Sequence, residues 1–237
     1  MEKTTLALPA QHAAALAFLS EARVAGRLAA LAAFGRPGSD LKLAGDEPGD
    51  PSSDSGPGQG ADAAEERAAQ ATLSWDPLSF PSSRALILEA ENRLGGRLDE
   101  LVAFADPPEL PGALAEAAPR DIEAWALRWA AGYAQLAREA SKRFRERGSG
   151  TFVLVIGERE GRGALAAMAY GALRGLAEGL AREAAAPGSR WRFIALRDES
   201  GQPDLVARHA VKLLEEPPKD CSKPFRYSGR SGLFGAR

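Results

Sequence analysis

The feature that most constrains this chain is the run Thr151-Phe152-Val153-Leu154-Val155-Ile156, bracketed by Gly150 and Gly157. A strand with one wet face alternates apolar and polar residues. A short run that is apolar throughout, and rich in β-branched residues, is a strand covered on both faces. Such a strand belongs to a parallel sheet with helices in front and behind, and its flanks supply them. A helix is predicted from about Arg120 to Arg147, with Ile122, Trp125, Trp129, Tyr133, Leu136, Ala140 and Phe144 on one face at three- and four-residue steps. A second is predicted from about Ala164 to Ala186.

The same alternation runs through the rest of the chain. Strands are predicted at Thr5 to Leu8, Arg27 to Phe34, Ala71 to Trp75, Leu98 to Ala105, Trp191 to Leu196 and Pro224 to Tyr227. Arg27 to Phe34 favours helix by alanine and leucine propensity, but a strand–helix–strand unit needs a strand there. Helices are predicted at about His12 to Ala25, stopped by Gly26, at Ser82 or Ser83 to Leu94, stopped by Gly95-Gly96, and at Pro203 to Glu215. The fold class is therefore α/β: a single Rossmann-like, doubly wound domain over residues 1–237, with about seven mainly parallel strands and helices on both faces. A Pro/Gly/Ser/Asp-rich insertion at about 37–68 interrupts it. From Asp46 to Gly60 it holds no large apolar residue, so it is expected to be a flexible loop.

Composition narrows the function classes. A net charge of −2 argues against a nucleic-acid partner, which needs a basic surface. Cys221 is the single cysteine, and His12 and His209 are the two histidines, so no metal site is expected. No apolar run approaches the ~18 residues of a membrane span, and the N-terminus lacks a signal-peptide core, so a cytoplasmic protein is expected. His12 reads as a surface residue and Cys221 as a plain thiol. The charges from Arg138 to Arg147 read as a solvated helix face. Gly171, Gly175 and Gly179 recur on one helix face, which suits either a subunit interface or packing on the chain's own sheet. Trp125 and Trp129 would enlarge such an interface if they pointed outward.

Several segments resemble the short-chain dehydrogenase/reductase superfamily over nearly the whole chain. Leu98-Asp99-Glu100-Leu101-Val102 resembles its fourth strand, and the helix of Trp125 its fifth helix. Gly150 to Ile156 resembles its fifth strand, Arg174-Gly175-Leu176 through Leu180-Ala181-Arg182-Glu183 the second half of its catalytic helix, and Pro203 to Ala207 the helix before its last strand. The resemblance implies a nicotinamide-dinucleotide oxidoreductase fold.

Position by position, the family's chemistry is largely replaced. Pro9, Ala13 and Ala15 stand where it has three cofactor-binding glycines, and Ala103-Phe104-Ala105-Asp106 where it has Asn-Asn-Ala-Gly. Gly157 stands near its serine and Gly132 near its helix-five asparagine. Tyr170 and Arg174 have the spacing of its tyrosine–lysine pair, but the frame set by Gly175-Leu176 puts Ala166 at the tyrosine position and Tyr170 at the lysine. That is a displacement of one turn, roughly 5–6 Å. The expectation is a catalytically impaired member, a pseudoenzyme with no bound cofactor. It would act as a structural or regulatory subunit of a homo-oligomer (dimer or tetramer), or of a hetero-oligomer with an active relative. The alternative is an NAD- or NADP-dependent carbonyl reductase with Tyr170 as acid/base and Arg174 as its cation. A further alternative is a non-catalytic small-ligand binder. Gly157, Gly161 and Gly163, with Asp198 at the next strand end, also match a dinucleotide-binding glycine spacing, though Glu158 and Glu160 would repel a diphosphate.

Overall fold

A computed structural model describes residues 3–35, 73–109, 113–158 and 163–229. The predicted insertion at 37–68 and Gly161 lie outside the described residues. Strands β1 (Lys3–Leu8), β2 (Arg27–Phe34), β3 (Leu73–Trp75), β4 (Glu100–Ala105), β5 (Thr151–Gly157), β6 (Arg192–Asp198) and β7 (Phe225–Tyr227) form one parallel sheet in the order β3-β2-β1-β4-β5-β6-β7. Arg27 to Phe34 is a strand, as the strand–helix–strand argument required and propensity did not.

Helices cover both faces. Alternating strand residues divide the core accordingly. Leu101, Ala103, Phe152, Leu154 and Ile156 face one layer, made by α2 (Phe80–Arg93), α3 (Pro119–Ala126), α4 (Tyr133–Arg147) and α5 (Ala164–Ala184). Val102, Phe104, Val153 and Val155 face the other, made by α1 (Ala13–Val24) and α6 (Pro203–Glu215). The β5 run is apolar because both of its faces are core. No described helix is long and apolar enough to cross a membrane.

The predicted 120–147 helix is interrupted. A π-helical segment, Leu127–Gly132, joins α3 to α4. Its cause is contact that no local pattern encodes. Gly132 lies so close to Pro77 that a Cβ on it would stand 2.6 Å from the proline Cβ and 2.7 Å from its carbonyl oxygen. Trp125 Nε1 donates to the Leu165 carbonyl at 2.9 Å, and the Tyr133 hydroxyl donates to the Phe104 carbonyl at 2.9 Å. Trp125 and Trp129 are 6% and 5% exposed, so they belong to the core and not to an outward interface. By contrast, Cβ atoms on Gly171, Gly175 and Gly179 would meet nothing within 4 Å, so that stripe does not pack on the chain's own sheet.

The charged run on α4 is also more than a solvated face. Arg143 grips the buried Glu91 carboxylate with contacts of 2.7–3.0 Å, and Arg147 reaches it at 2.6 Å. These bonds clamp α2 to α4, and Arg147 also donates to the Leu98 carbonyl just before β4. Both helices are thereby fixed to the strand whose far end carries the site.

The glycine contacts give a paired stability prediction. Gly132→Ala would drive a methyl into proline backbone that cannot yield, so it is expected to lose about 1–3 kcal/mol. Gly175→Ala, in open space on a helix, is expected to gain about 0.5–1 kcal/mol. Thermal unfolding of the two variants checks this, and equal shifts would refute the close approach at Pro77.

Candidate functional site

In an open parallel sheet, ligands bind beyond the carboxyl ends of the strands, where neighbouring crossovers leave in opposite directions. Here β1 lies between β2 and β4, and a pocket of about 270 Å³ opens at this end of the sheet. Gln11 and His12 line it from the β1–α1 turn, Asp106 from the end of β4, Gly157 and Glu158 from β5, and Asp198 from β6. Among the described residues, no lysine or arginine lines it.

The β1–α1 turn is built without glycine. Ala10 N donates to Ala32 O at 2.7 Å, holding the turn to β2. Gln11 secures the same strand end: its amide nitrogen donates to Phe34 O at 3.3 Å, and its amide oxygen accepts from Phe34 N at 2.9 Å. His12 is the N-cap of α1, its Nδ1 accepting from Ala14 N at 3.2 Å. The ring stacks on Phe104, centroids 5.4 Å apart. His12 is therefore a capping residue rooted on the core, not the surface histidine expected from sequence. Ala13 opens α1, and Ala15 is buried against the sheet.

Phe104 does not fill the pocket. It points into the α1–α6 layer, fully buried beside Phe18, and makes a floor under His12. The polar group at this strand end is Asp106, two residues later. Its carboxylate packs on Gly157 so closely that a Cβ there would lie 2.8 Å from the carboxyl carbon. Gly157 is thus what admits Asp106, and a serine at Gly157 would collide with it. Gly132, the other position compared with the family's polar residues, is occupied by its contact with Pro77.

Of the alternative glycine spacing after β5, the structure describes Gly157 and Gly163. Gly157 faces Asp106, and Gly163 N donates to the Glu109 carboxylate at 2.8 Å. Asp198 Oδ1 accepts from Ser200 N and Oγ at 2.9 and 2.6 Å, which shapes the turn after β6. Among the described residues, no group of acidic, histidine and cysteine side chains could hold a metal ion.

Tyr170 and Arg174 are separated by their environments. Tyr170 lies on α5 with its hydroxyl buried and within reach of Glu158 and Arg197. Burial, and then the Glu158 carboxylate, push its phenol above the ordinary value. Arg174 is half exposed and turns to Glu178, one turn further along α5, at 3.1 Å. Ala166 is buried. Among the described residues, the cation beside Tyr170 is Arg197, which sequence reasoning missed. Its Nε donates to Glu158 Oε2 at 2.9 Å, and a second guanidinium nitrogen reaches the same oxygen at 2.6 Å. Burial would raise the Glu158 carboxyl, but Arg197 and Tyr170 outweigh it and hold it below the usual range. The signal was weak: Glu158 follows β5 and Arg197 ends β6. Only the register, which pairs Ile156 with Arg197 and Gly157 with Asp198, brings them together.

No family model and no curated protein matches this sequence. Solved structures do match in fold. A short-chain dehydrogenase from Streptomyces avermitilis is 19% identical, with 95% of this chain and 87% of that one covered at a TM-score of 0.66. A short-chain dehydrogenase/reductase variant from Serratia marcescens is 18% identical, with 96% of each chain covered at 0.68. A 3-ketoacyl-(acyl-carrier-protein) reductase from Brucella melitensis, complexed with NADH, is 17% identical, with 97% and 98% covered at 0.67. The chain has the short-chain dehydrogenase/reductase fold across its length. The expectation of a pseudoenzyme without cofactor is corrected. The structures that share this fold end to end are described as dehydrogenases and reductases, one of them holding NADH, and Phe104 leaves the strand-end pocket open.

Proposed function

We propose that this chain is an NAD(P)-dependent oxidoreductase of the short-chain type, reducing a carbonyl compound in the pocket beyond β4, β5 and β6. The observation that carries this reading is the pocket itself, at the sheet position where this fold binds ligands, with a half-buried tyrosine, its hydroxyl covered, behind its Glu158 wall.

The donor set suits the nicotinamide-ribose end of the cofactor. Asp106, Glu158 and Asp198 offer carboxylate oxygens, which accept hydrogen bonds from ribose hydroxyls and a carboxamide N–H. At α1 the helix N-terminus, whose Ala14 amide donates to the His12 imidazole at 3.2 Å, would hold the diphosphate. A phosphate oxygen would take that amide in place of the imidazole. When bound, the cofactor supplies the hydride. Tyr170 supplies the proton, its hydroxyl passing from Glu158 to the reacting oxygen as substrate enters. Among the described residues, a lining without lysine or arginine favours neutral carbonyl substrates over carboxylates or phosphates.

Titration with NADH and NADPH, followed by loss of reduced-cofactor absorbance with a panel of ketones and 3-ketoacyl thioesters, tests the reading. Micromolar binding of at least one nucleotide with turnover is expected. No saturable binding of either up to millimolar concentration would overturn it.

A further inference from the structure

We infer that Arg197 and Glu158, at the ends of β6 and β5, are the positioning pair for the Tyr170 hydroxyl, in place of a cation on the tyrosine's own helix. This rests on the reading of Tyr170 as the proton donor. The geometry is specific. Ile156 pairs with Arg197 across the two strands, and Glu158 N donates to Asp198 O at 2.7 Å, extending the ladder by one residue. That extension fixes the backbone of both partners, so the carboxylate and guanidinium meet side by side over the first turns of α5. Both side chains are largely covered, with 28% and 17% of their surface exposed. The buried Tyr170 hydroxyl faces the pair.

Among the described residues, the other charges nearby have partners of their own. Arg174, on α5 itself, is engaged by Glu178 at 3.1 Å. Glu199 pairs with Arg226 of β7 and also acts on Glu158, while Arg226 and Arg197 repel each other as like charges. Glu158 and Arg197 act on the phenol in opposite senses. The carboxylate accepts its hydrogen bond and stabilises the protonated form, and the guanidinium stabilises the phenolate. Burial and Glu158 prevail, so Tyr170 stays protonated through neutral pH and is poised to donate rather than to accept. A consequence is directional: carbonyl reduction runs at neutral pH, and alcohol oxidation keeps gaining rate as pH rises past the ordinary phenol range.

Ultraviolet titration of the tyrosines tests the pair without relying on turnover. The chain has three tyrosines, and Tyr170→Phe provides the difference spectrum that isolates the one of interest. Glu158→Gln keeps shape and removes the charge. It is expected to lower the Tyr170 midpoint by about one pH unit or more, a tenfold gain in acidity. Arg197→Ala is expected to raise the midpoint, with Arg197→Lys returning it toward wild type. Arg174→Ala is expected to leave it in place. A Glu158→Gln midpoint equal to wild type, or an Arg174→Ala shift as large as that of Glu158→Gln, would overturn the inference. Circular dichroism of each variant, with the conservative Gln and Lys replacements as references, separates a local effect from unfolding. If these shifts are found and no nucleotide binds, the oxidoreductase reading fails and the positioning pair stands. If turnover is found without the shifts, the reverse holds.

Discussion

Tyr170→Phe is expected to lower kcat for carbonyl reduction by about 10²–10⁴-fold, the usual span for loss of a positioned proton donor. The cofactor dissociation constant should stay close to wild type, because the hydroxyl lies behind Glu158 and outside the pocket lining. Stability should change little. The variant loses one hydrogen bond, a net effect of about 1 kcal/mol, while Glu158 keeps its contacts with Arg197. Steady-state kinetics and calorimetric unfolding read the two quantities separately. A kcat within twofold of wild type would remove Tyr170 from the chemistry. A fall of more than ~10 °C in Tm would mean that the loss of activity reflects unfolding, since about 1 kcal/mol moves Tm by only about 2–4 °C in a chain of this size.

Phe104→Ala should produce the largest loss of stability. The ring is fully buried, meets Phe18 at 6.1 Å and carries the His12 imidazole on its face. Removing a buried phenylalanine ring usually costs about 3–5 kcal/mol, because the lost transfer energy is joined by the cavity left behind. A drop in Tm of roughly 6–20 °C follows at about 2–4 °C per kcal/mol. Phe104→Leu, which keeps most of the volume, should lose much less. Urea unfolding with an unchanged slope and a lower midpoint identifies a native-state packing effect. The same substitution takes away the surface on which His12 stacks, so ligand affinity should change along with stability. A Phe104→Ala protein with wild-type Tm would show that the ring is not the floor of the site.

Much of the fold was legible because its causes are local. The β5 run, the apolar face of the α4 region, and the glycine stops at Gly26 and Gly95 each lie within one window of sequence. Arg27 to Phe34 was assigned from the requirement for a strand between helices, against propensity, and pairs with β1 over five residues. The π-helical segment was not legible, since Pro77 that crowds Gly132 comes from a connection far away in sequence. The buried tryptophans misled for the same reason: a helix face states that it is apolar, not what covers it.

The site divides in the same way. From sequence alone, the glycine turn, the Asn-Asn-Ala-Gly segment and the serine read as replaced, and Tyr170 read either as the acid/base or as one turn out of frame. From those losses the sequence pointed toward an impaired protein, because it could count what was missing but not what had been brought in. Only the tertiary structure decided that His12 caps α1 on a floor of Phe104, that Gly157 makes room for Asp106, and that Arg197 stands beside Tyr170. Each of these depends on strand order and register, which place residues tens of positions apart within hydrogen-bonding distance. Apolar burial specifies such an arrangement through the whole core at once, so no local pattern around Arg197 records that its partners are Glu158 and Tyr170.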